Sequence, residues 1–97
     1  MIRITAYSVI TTAHFDRLLK KLAPKHVELI DRFEEAIAIL SADPLNNSRR
    51  HAIKKLQGVS AGDGQYRLRA GRIRFRYDVA GREVVLLYSG LRREDTY

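Results

Sequence analysis

The chain has 97 residues, a formal net charge of +7 and no cysteine, which is typical of one small basic domain, residues 1–97, without disulfides or thiolate metal ligands. No apolar run approaches the roughly 20 residues of a transmembrane helix, and the first residues lack a signal-peptide pattern, so we expect a cytoplasmic protein that crosses no membrane. The three histidines are isolated and offer no metal-ligand spacing, so we expect neither a metal nor another cofactor.

The excess of positive charge lies in the second half of the chain. Residues 1–45 carry six basic and six acidic side chains, whereas residues 46–97 carry twelve basic and five acidic ones. Basic charge concentrated in one part of a domain is typical of proteins that bind nucleic acid. A solvated basic face without a ligand is the alternative interpretation.

The N-terminal segment predicts a strand and then a helix. Alternation over Ile2 to Val9 indicates a short strand, and Thr11 or Thr12 can cap the helix that follows. The apolar residues of this first helix recur at helical spacing: Phe15, Leu18, Leu19 and Leu22.

A second helix is predicted from Lys25 to Ser41, with Pro24 in its first turn and Asp43-Pro44 beyond its end. We expect its apolar stripe to face the core: Val27, Ile30, Phe33, Ile37 and Leu40. Two amphipathic helices joined this closely should form an antiparallel hairpin that covers one face of a sheet.

Residues 43–64 carry little periodic signal, and a structureless connection of this length is unusual in a compact domain. We therefore expect the segment to be partly extended or functional, with a mobile stretch from Ser60 to Gly64. Lys54 and Lys55 lie within it and could extend a basic surface. As exposed loop charges they could equally have no specific role.

The stretch from Gln65 to Val79 alternates apolar side chains with arginines, the pattern of two strands with one buried face. A two-residue loop at Ala70-Gly71 would place Arg69 opposite Arg72 and Arg67 opposite Arg74. Because like charges directly opposed across two strands destabilise a sheet, an anionic polymer as ligand is the obvious reason for this pattern.

The remaining apolar run, Glu83 to Ser89, predicts a central strand after a second turn at Ala80-Gly81. This register would put Val84, Leu86 and Tyr88 on the core face. We accordingly interpret Tyr88 as a packing residue, together with Tyr66 and Tyr77. The tail after residue 89 is placed to bring its two arginines and a tyrosine near the arginine-bearing face: Arg92, Arg93 and Tyr97.

Four segments together resemble one protein family over essentially the whole chain: Lys55 to Gly58 (KLQG), Tyr66 to Gly71 (YRLRAG), Arg74 to Tyr77 (RFRY), and Arg92-Arg93 with Tyr97. The family is the RelE/ParE superfamily of bacterial type II toxins. The resemblance implies an α+β fold in which an antiparallel helical hairpin packs on one face of a small, mainly antiparallel four-stranded sheet, in the order β-α-α-β-β-β.

The resemblance also implies a function, a metal-independent, ribosome-dependent mRNA interferase, in which a ribose 2′-hydroxyl attacks the adjacent phosphate. The implied partners are a cognate antitoxin and mRNA on the ribosome. The residues implied for catalysis are Arg67, Arg69, Arg74, Arg92 and Tyr97. Those that we expect to bind RNA are Lys54, Lys55, Arg72, Arg76 and Arg93.

Other members of the same superfamily inhibit DNA gyrase, and a ParE-like gyrase inhibitor is the first alternative. A catalytically degenerate module that binds only nucleic acid or an antitoxin is the second. The family often has lysine at Arg67 and Arg69 and histidine at Leu91. Because guanidinium groups are not deprotonated in proteins, proton transfer falls to Tyr97, with Glu94 or Asp95 as poor substitutes.

Overall fold

A computed structural model describes residues 7–91 of the chain. Two helices and five strands follow one another in the order β-α-α-β-β-β-β. Their bounds are β1 Ser8–Thr11, α1 Ala13–Leu22, α2 Leu29–Ala42, β2 Ile53–Lys55, β3 Tyr66–Ala70, β4 Ile73–Ala80 and β5 Glu83–Leu91.

The five strands form one mixed sheet in the order β1-β5-β4-β3-β2. β1 is parallel to β5, and the other three pairings are antiparallel. The α+β class is confirmed, with one strand more than the four expected. The additional strand, β2, comes from the segment without periodic signal. The central position of β5 is also as predicted.

The N-terminal half follows the sequence pattern up to the end of the first helix. The strand is Ser8–Thr11, and the predicted residues Ile2 to Ala6 lie outside the described part of the chain. Thr12 is the N-cap of α1, since its hydroxyl oxygen accepts a hydrogen bond from the amide of Phe15 at 3.1 Å. Phe15 is fully buried.

The second helix begins later than predicted. Pro24 lies in a turn after α1 rather than in the first turn of a helix, and α2 begins at Leu29. The buried face of α2 consists of Leu29, Ala36 and Leu40. The predicted stripe was therefore wrong at its start: Val27 precedes the helix and is 87% exposed, and Ile30 is 46% exposed.

The hairpin of β3 and β4 has a register different from the predicted one. Arg69 lies opposite Arg74 and Arg67 opposite Arg76, so the loop is Gly71-Arg72 rather than Ala70-Gly71. The first loop residue of such tight turns favours a positive φ, which Gly71 adopts at 63° and which alanine adopts only with strain. Because the pairing moved by two residues, the side chains within the two strands kept their predicted faces, whereas Arg72 now lies in the turn.

The hairpin of β4 and β5 also differs, and here one side chain changes face. Its loop is Gly81-Arg82, and Leu86 lies opposite Tyr77 on the core face. A β-bulge then inserts an extra residue in β5, so that Tyr88 pairs with Arg76 instead of facing the core. The prediction of Tyr88 as a core residue was therefore wrong.

The core lies between the helices and the face of the sheet that carries the apolar residues. The ring of Phe15 lies 5.6 Å from that of Phe33 and 6.4 Å from that of Phe75, measured between centroids. Tyr77 is fully buried, and its hydroxyl donates a hydrogen bond to the carbonyl of Pro44 at 2.8 Å. Across residues 7–91, neither helix has the length and apolar character that a membrane span requires.

Candidate nucleic-acid interface

Four arginines project from the side of the sheet opposite the helices, and we call this surface the arginine face: Arg67, Arg69, Arg74 and Arg76. They are two pairs of direct cross-strand neighbours. Side chains at such paired positions have Cβ atoms about 4.5–5.5 Å apart. Arg69 is exposed, and the other three are half-buried. The arrangement concentrates four positive charges on two adjacent strands.

Of the two lysines in β2, one belongs to this surface. Lys54 lies directly opposite Arg67, which puts its side chain on the arginine face. Lys55 points to the other side of the strand, where its ammonium lies 5.7 Å from the centroid of the Tyr66 ring. The sequence grouped the two lysines together, whereas the structure separates them.

Arg76 is hydrogen-bonded to a neighbouring loop. Its guanidinium donates hydrogen bonds to the carbonyl oxygen of Gly64 at 2.8 and 3.2 Å and to that of Asp63 at 3.0 Å. The carboxylate of Asp78 accepts from the amides of Gly62 at 2.7 Å and Gln65 at 2.8 Å. The stretch that we expected to be mobile is thus attached to β4, and Arg76 contributes charge and also fixes this loop.

Arg72 lies in the β3–β4 turn and is directed towards the helices. Its guanidinium lies 3.1 Å from the carboxylate of Glu28, at the start of α2. A backbone hydrogen bond, and then the bond from Arg72, lower the pKa of the Glu28 carboxyl. The structure therefore separates Arg72 from the arginine face, although the sequence grouped it with the RNA-binding residues.

Tyr88 is the residue that sequence reasoning missed. The bulge directs it to the arginine face, where it is a cross-strand neighbour of Arg76. Its ring lies over Gly90, so closely that a Cβ atom at residue 90 would overlap the hydroxyl and lie 2.9 Å from Cζ. A glycine two residues after the tyrosine was the available signal, because only glycine leaves room for the ring.

The tail residues of the predicted site, Arg92, Arg93 and Tyr97, lie outside the described residues, as do Glu94 and Asp95. Their roles stay predictions. Within residues 7–91, no group of three histidine or carboxylate side chains comes together that could hold a metal ion. The chemistry that the described surface offers is therefore that of guanidinium groups, one ammonium and one phenol.

Guanidinium groups suit the recognition of phosphate. Their donors form a planar fork that matches two phosphate oxygens, and the group stays charged at every physiological pH. The opposed arginines repel one another in the free protein, and a bound polyanion would relieve that repulsion. The face can thus bind and polarise a phosphodiester.

Solved structures with the same fold include chains of two complexes, of which the first is a toxin–antitoxin complex. A chain of the RelBE2 complex of Mycobacterium tuberculosis is 29% identical with a TM-score of 0.69, covering 91% of this chain and 100% of its own length. A chain of the archaeal RelE–RelB complex of Pyrococcus horikoshii OT3 is 27% identical with a TM-score of 0.65. The match covers 91% of this chain and 97% of that chain.

A third structure, YafQ from E. coli, shares the fold with a TM-score of 0.68 at only 14% identity, covering 94% of this chain and 99% of its own. No protein-family model and no curated protein sequence matches the chain. The two Rel-type structures give no support to the gyrase-inhibiting alternative.

Proposed function

We propose that this chain, which belongs to the RelE-like toxins of type II toxin–antitoxin systems, cleaves messenger RNA on the ribosome. The single observation that supports this activity is the arginine face. Arg67, Arg69 and Arg74 lie together on two paired strands, on the side of the sheet away from the helices.

The reaction forms a bond between the ribose 2′-oxygen and the adjacent phosphorus and breaks the bond from that phosphorus to the 5′-oxygen. Negative charge accumulates on the phosphorane oxygens in the transition state, and preorganised cations there lower the barrier. In this proposal Arg74 binds the reacting phosphate, and Arg67 and Arg69 bind it and its neighbour. Lys54 and Arg76 extend the positive surface along the RNA.

The resemblance assigns further groups in the tail. Arg92 would join the arginines around the phosphorane, Arg93 would bind RNA, and Tyr97 would take part in proton transfer. These residues lie outside the described part of the chain, so their assignment depends on sequence position alone.

A cognate antitoxin is the proposed partner. Of the two solved complexes named above, RelBE2 is a toxin–antitoxin complex, and the archaeal one pairs RelE with RelB. An acidic segment of such a partner would cover the arginine face and prevent access of RNA. A strand of the partner could also pair with β1 or β2, the two outer strands of the sheet.

The test adds the purified protein to a translating extract and maps the ends of the message. We expect ends that are phased with codons. The double variant Arg67→Ala, Arg74→Ala should abolish cleavage while its thermal stability is unchanged or slightly raised, because it relieves repulsion between arginines.

The matched control removes the same two charges from the helical side: Arg17→Ala with Lys20→Ala, both exposed on α1. This variant should cleave as the wild type does. Intact message at protein concentrations that stop growth contradicts the proposal. Gyrase-linked DNA breaks in expressing cells would instead support the gyrase-inhibiting alternative.

A further inference from the structure

Cleavage by the proposed route needs two proton transfers that arginines do not perform. One proton leaves the 2′-hydroxyl, and one must reach the departing 5′-oxygen. A guanidinium stays protonated in proteins, so it stabilises charge without donating a proton. The four arginines of the arginine face thus bind phosphate but cannot serve as the acid, and no residue of the described part of the chain has yet been given that role.

The bulge in β5 brings a phenol to this surface. With a regular ladder Tyr88 would face the core, but the inserted residue makes it the partner of Arg76. At the bulge, Leu87 lies beside Gly64: a Cβ at Gly64 would be 3.7 Å from Cδ1 of Leu87 and 3.1 Å from Cβ of Arg76.

The hydroxyl of Tyr88 lies at the level of the cross-strand pair formed by Arg74 and Gly90. Its ring extends along β5 to Gly90, and Gly90 is the direct cross-strand partner of Arg74. The hydroxyl therefore occupies the space in which a side chain at position 90 would face Arg74. Cβ atoms of such partners are about 4.5–5.5 Å apart, so the phenol lies within reach of a phosphate bound there.

Open space adjoins the phenol. A cleft of about 380 Å³ has Tyr88 in its wall, and the other lining residues are Thr12, His14, Gly62, Asp63, Arg76 and Leu87. Arg76 and Tyr88 belong both to this cleft and to the side of the sheet with the arginine face, so a strand bound to the arginines can continue past the phenol. The hydroxyl is thus placed between a phosphate-binding arginine and a region open to substrate.

We infer that Tyr88 is a catalytic residue, the general acid that protonates the leaving 5′-oxygen. This inference rests on the proposed RNA cleavage. The 2′-oxygen bonds to phosphorus while its proton passes to water, and the phosphorus–5′-oxygen bond breaks as the phenol gives its proton to that oxygen. The phenolate, facing Arg74, then regains a proton from water. The products are a 2′,3′-cyclic phosphate and a 5′-hydroxyl.

The alternative is that the ring only fills the space over Gly90, and Tyr88→Phe separates the two roles. This variant keeps the ring and removes the hydroxyl, so the fold should persist. General acid catalysis typically contributes 10²–10⁴-fold, so we expect single-turnover cleavage of ribosome-bound message to slow by at least about 100-fold, with binding changed less than about threefold.

A modified substrate identifies the acid. If sulfur replaces the 5′-oxygen at the cleaved linkage, the leaving group departs without protonation. Tyr88→Phe should then cleave this substrate about as fast as the wild type. The matched control, Tyr66→Phe, removes a hydroxyl on the opposite face of the sheet and should cleave both substrates normally.

The outcomes separate the two proposals. If the wild type cleaves and Tyr88→Phe cleaves equally fast, or is equally slow on both substrates, Tyr88 is not the acid and the proposed function stands. If the wild type cleaves no message, both proposals fail. Gly90→Ala gives an independent check, since its methyl group displaces the phenol and should slow the oxygen substrate as Tyr88→Phe does.

Discussion

Tyr77 and Tyr88 lie on adjacent strands and face opposite sides of the sheet. Tyr77 is fully buried, and desolvation raises the pKa of its hydroxyl above the ordinary phenol value. Its proton is donated to the carbonyl of Pro44, 33 residues earlier in the chain. This bond attaches the segment after α2 to the sheet. The two tyrosines thus have different chemistry because of the backbone register around them.

Removing the hydroxyl of Tyr77 should destabilise the fold without changing the arginine face. In Tyr77→Phe the carbonyl of Pro44 is buried without its donor, which typically lowers the free energy of unfolding by about 1–3 kcal/mol. Urea denaturation at neutral pH measures the change. Tyr66→Phe serves as the control, since Tyr66 is only half-buried. Equal midpoints for Tyr77→Phe and the wild type would show that the bond contributes nothing.

At the scale of elements, alternation predicted which face each side chain of β3 and β4 occupies, and turn chemistry decided the register. Alternation is insensitive to a shift of two residues, so the four arginines within the strands were assigned correctly to one face, and only Arg72, in the turn, was not. The partners were wrong because Gly71, rather than Ala70, takes the left-handed position. The bulge at Leu87 lies beside Gly64, which is distant in sequence, and no local pattern reports such a neighbour.

The two hairpin turns form a matched pair for a backbone prediction. Gly71 and Gly81 both have positive φ, 63° and 61°, so alanine at either should lower the free energy of unfolding by about 1–2 kcal/mol. A Cβ at Gly71 would also lie 2.6 Å from Nε of Arg32, whereas one at Gly81 meets no atom of the described residues within 4 Å.

Urea denaturation of Gly71→Ala and Gly81→Ala therefore separates backbone strain from crowding. We expect both variants to be destabilised, and the free energy of unfolding should fall somewhat more in Gly71→Ala than in Gly81→Ala. When Arg32→Ala is added to both variants, their losses in free energy of unfolding should become equal, because the side chain that crowds Gly71→Ala is gone. Wild-type stability in Gly81→Ala would show that the turn does not need a left-handed residue.

The loop after α2 is hydrogen-bonded to a carboxylate at its first residue, Asp43, which predicts that the stability of this loop falls in acid. Asp43 accepts hydrogen bonds from the hydroxyl of Ser48 at 2.6 Å and from the amides of Asn47 at 2.8 Å and Ser48 at 3.1 Å. These bonds, that from the Ser48 hydroxyl foremost, lower the pKa of the Asp43 carboxyl in the folded protein.

Because the folded-state pKa is below the unfolded one, Asp43 stabilises the fold above about pH 4, the ordinary range of aspartate, and this contribution is lost as the pH falls further. Asp43→Asn should lower the free energy of unfolding by about 1 kcal/mol at neutral pH. It should also reduce the difference in stability between pH 7 and pH 3. An unchanged pH dependence in this variant would exclude Asp43 as its source.

For the whole molecule, the fold separates two chemistries across one sheet. Helices α1 and α2 cover the apolar face, and the arginine face lies on the other side. The sequence predicted this division, because charge excess and alternation coincide in the same stretch. It did not predict the distribution of the other cations, since Arg72 pairs with Glu28 and Lys55 lies over Tyr66. Those contacts join segments distant in sequence.

Adjacent lysines in β2 allow a test of whether RNA contacts this one face or merely the net positive charge. Each phosphate contact with a single strand contributes about −0.7 to the slope of log binding constant against log salt concentration. Lys54→Ala should therefore make the slope less steep by about 0.7 for a single-stranded RNA oligonucleotide, because Lys54 lies beside Arg67 on the arginine face. Lys55→Ala removes the same charge from the other side and should leave the slope unchanged.

Fluorescence anisotropy between 50 and 200 mM salt, about the range in which such dependence is pronounced, measures the slope for both variants. Equal changes in the two variants would show that RNA binds by general attraction to a basic protein, and the arginine face would then lose its role as the specific site.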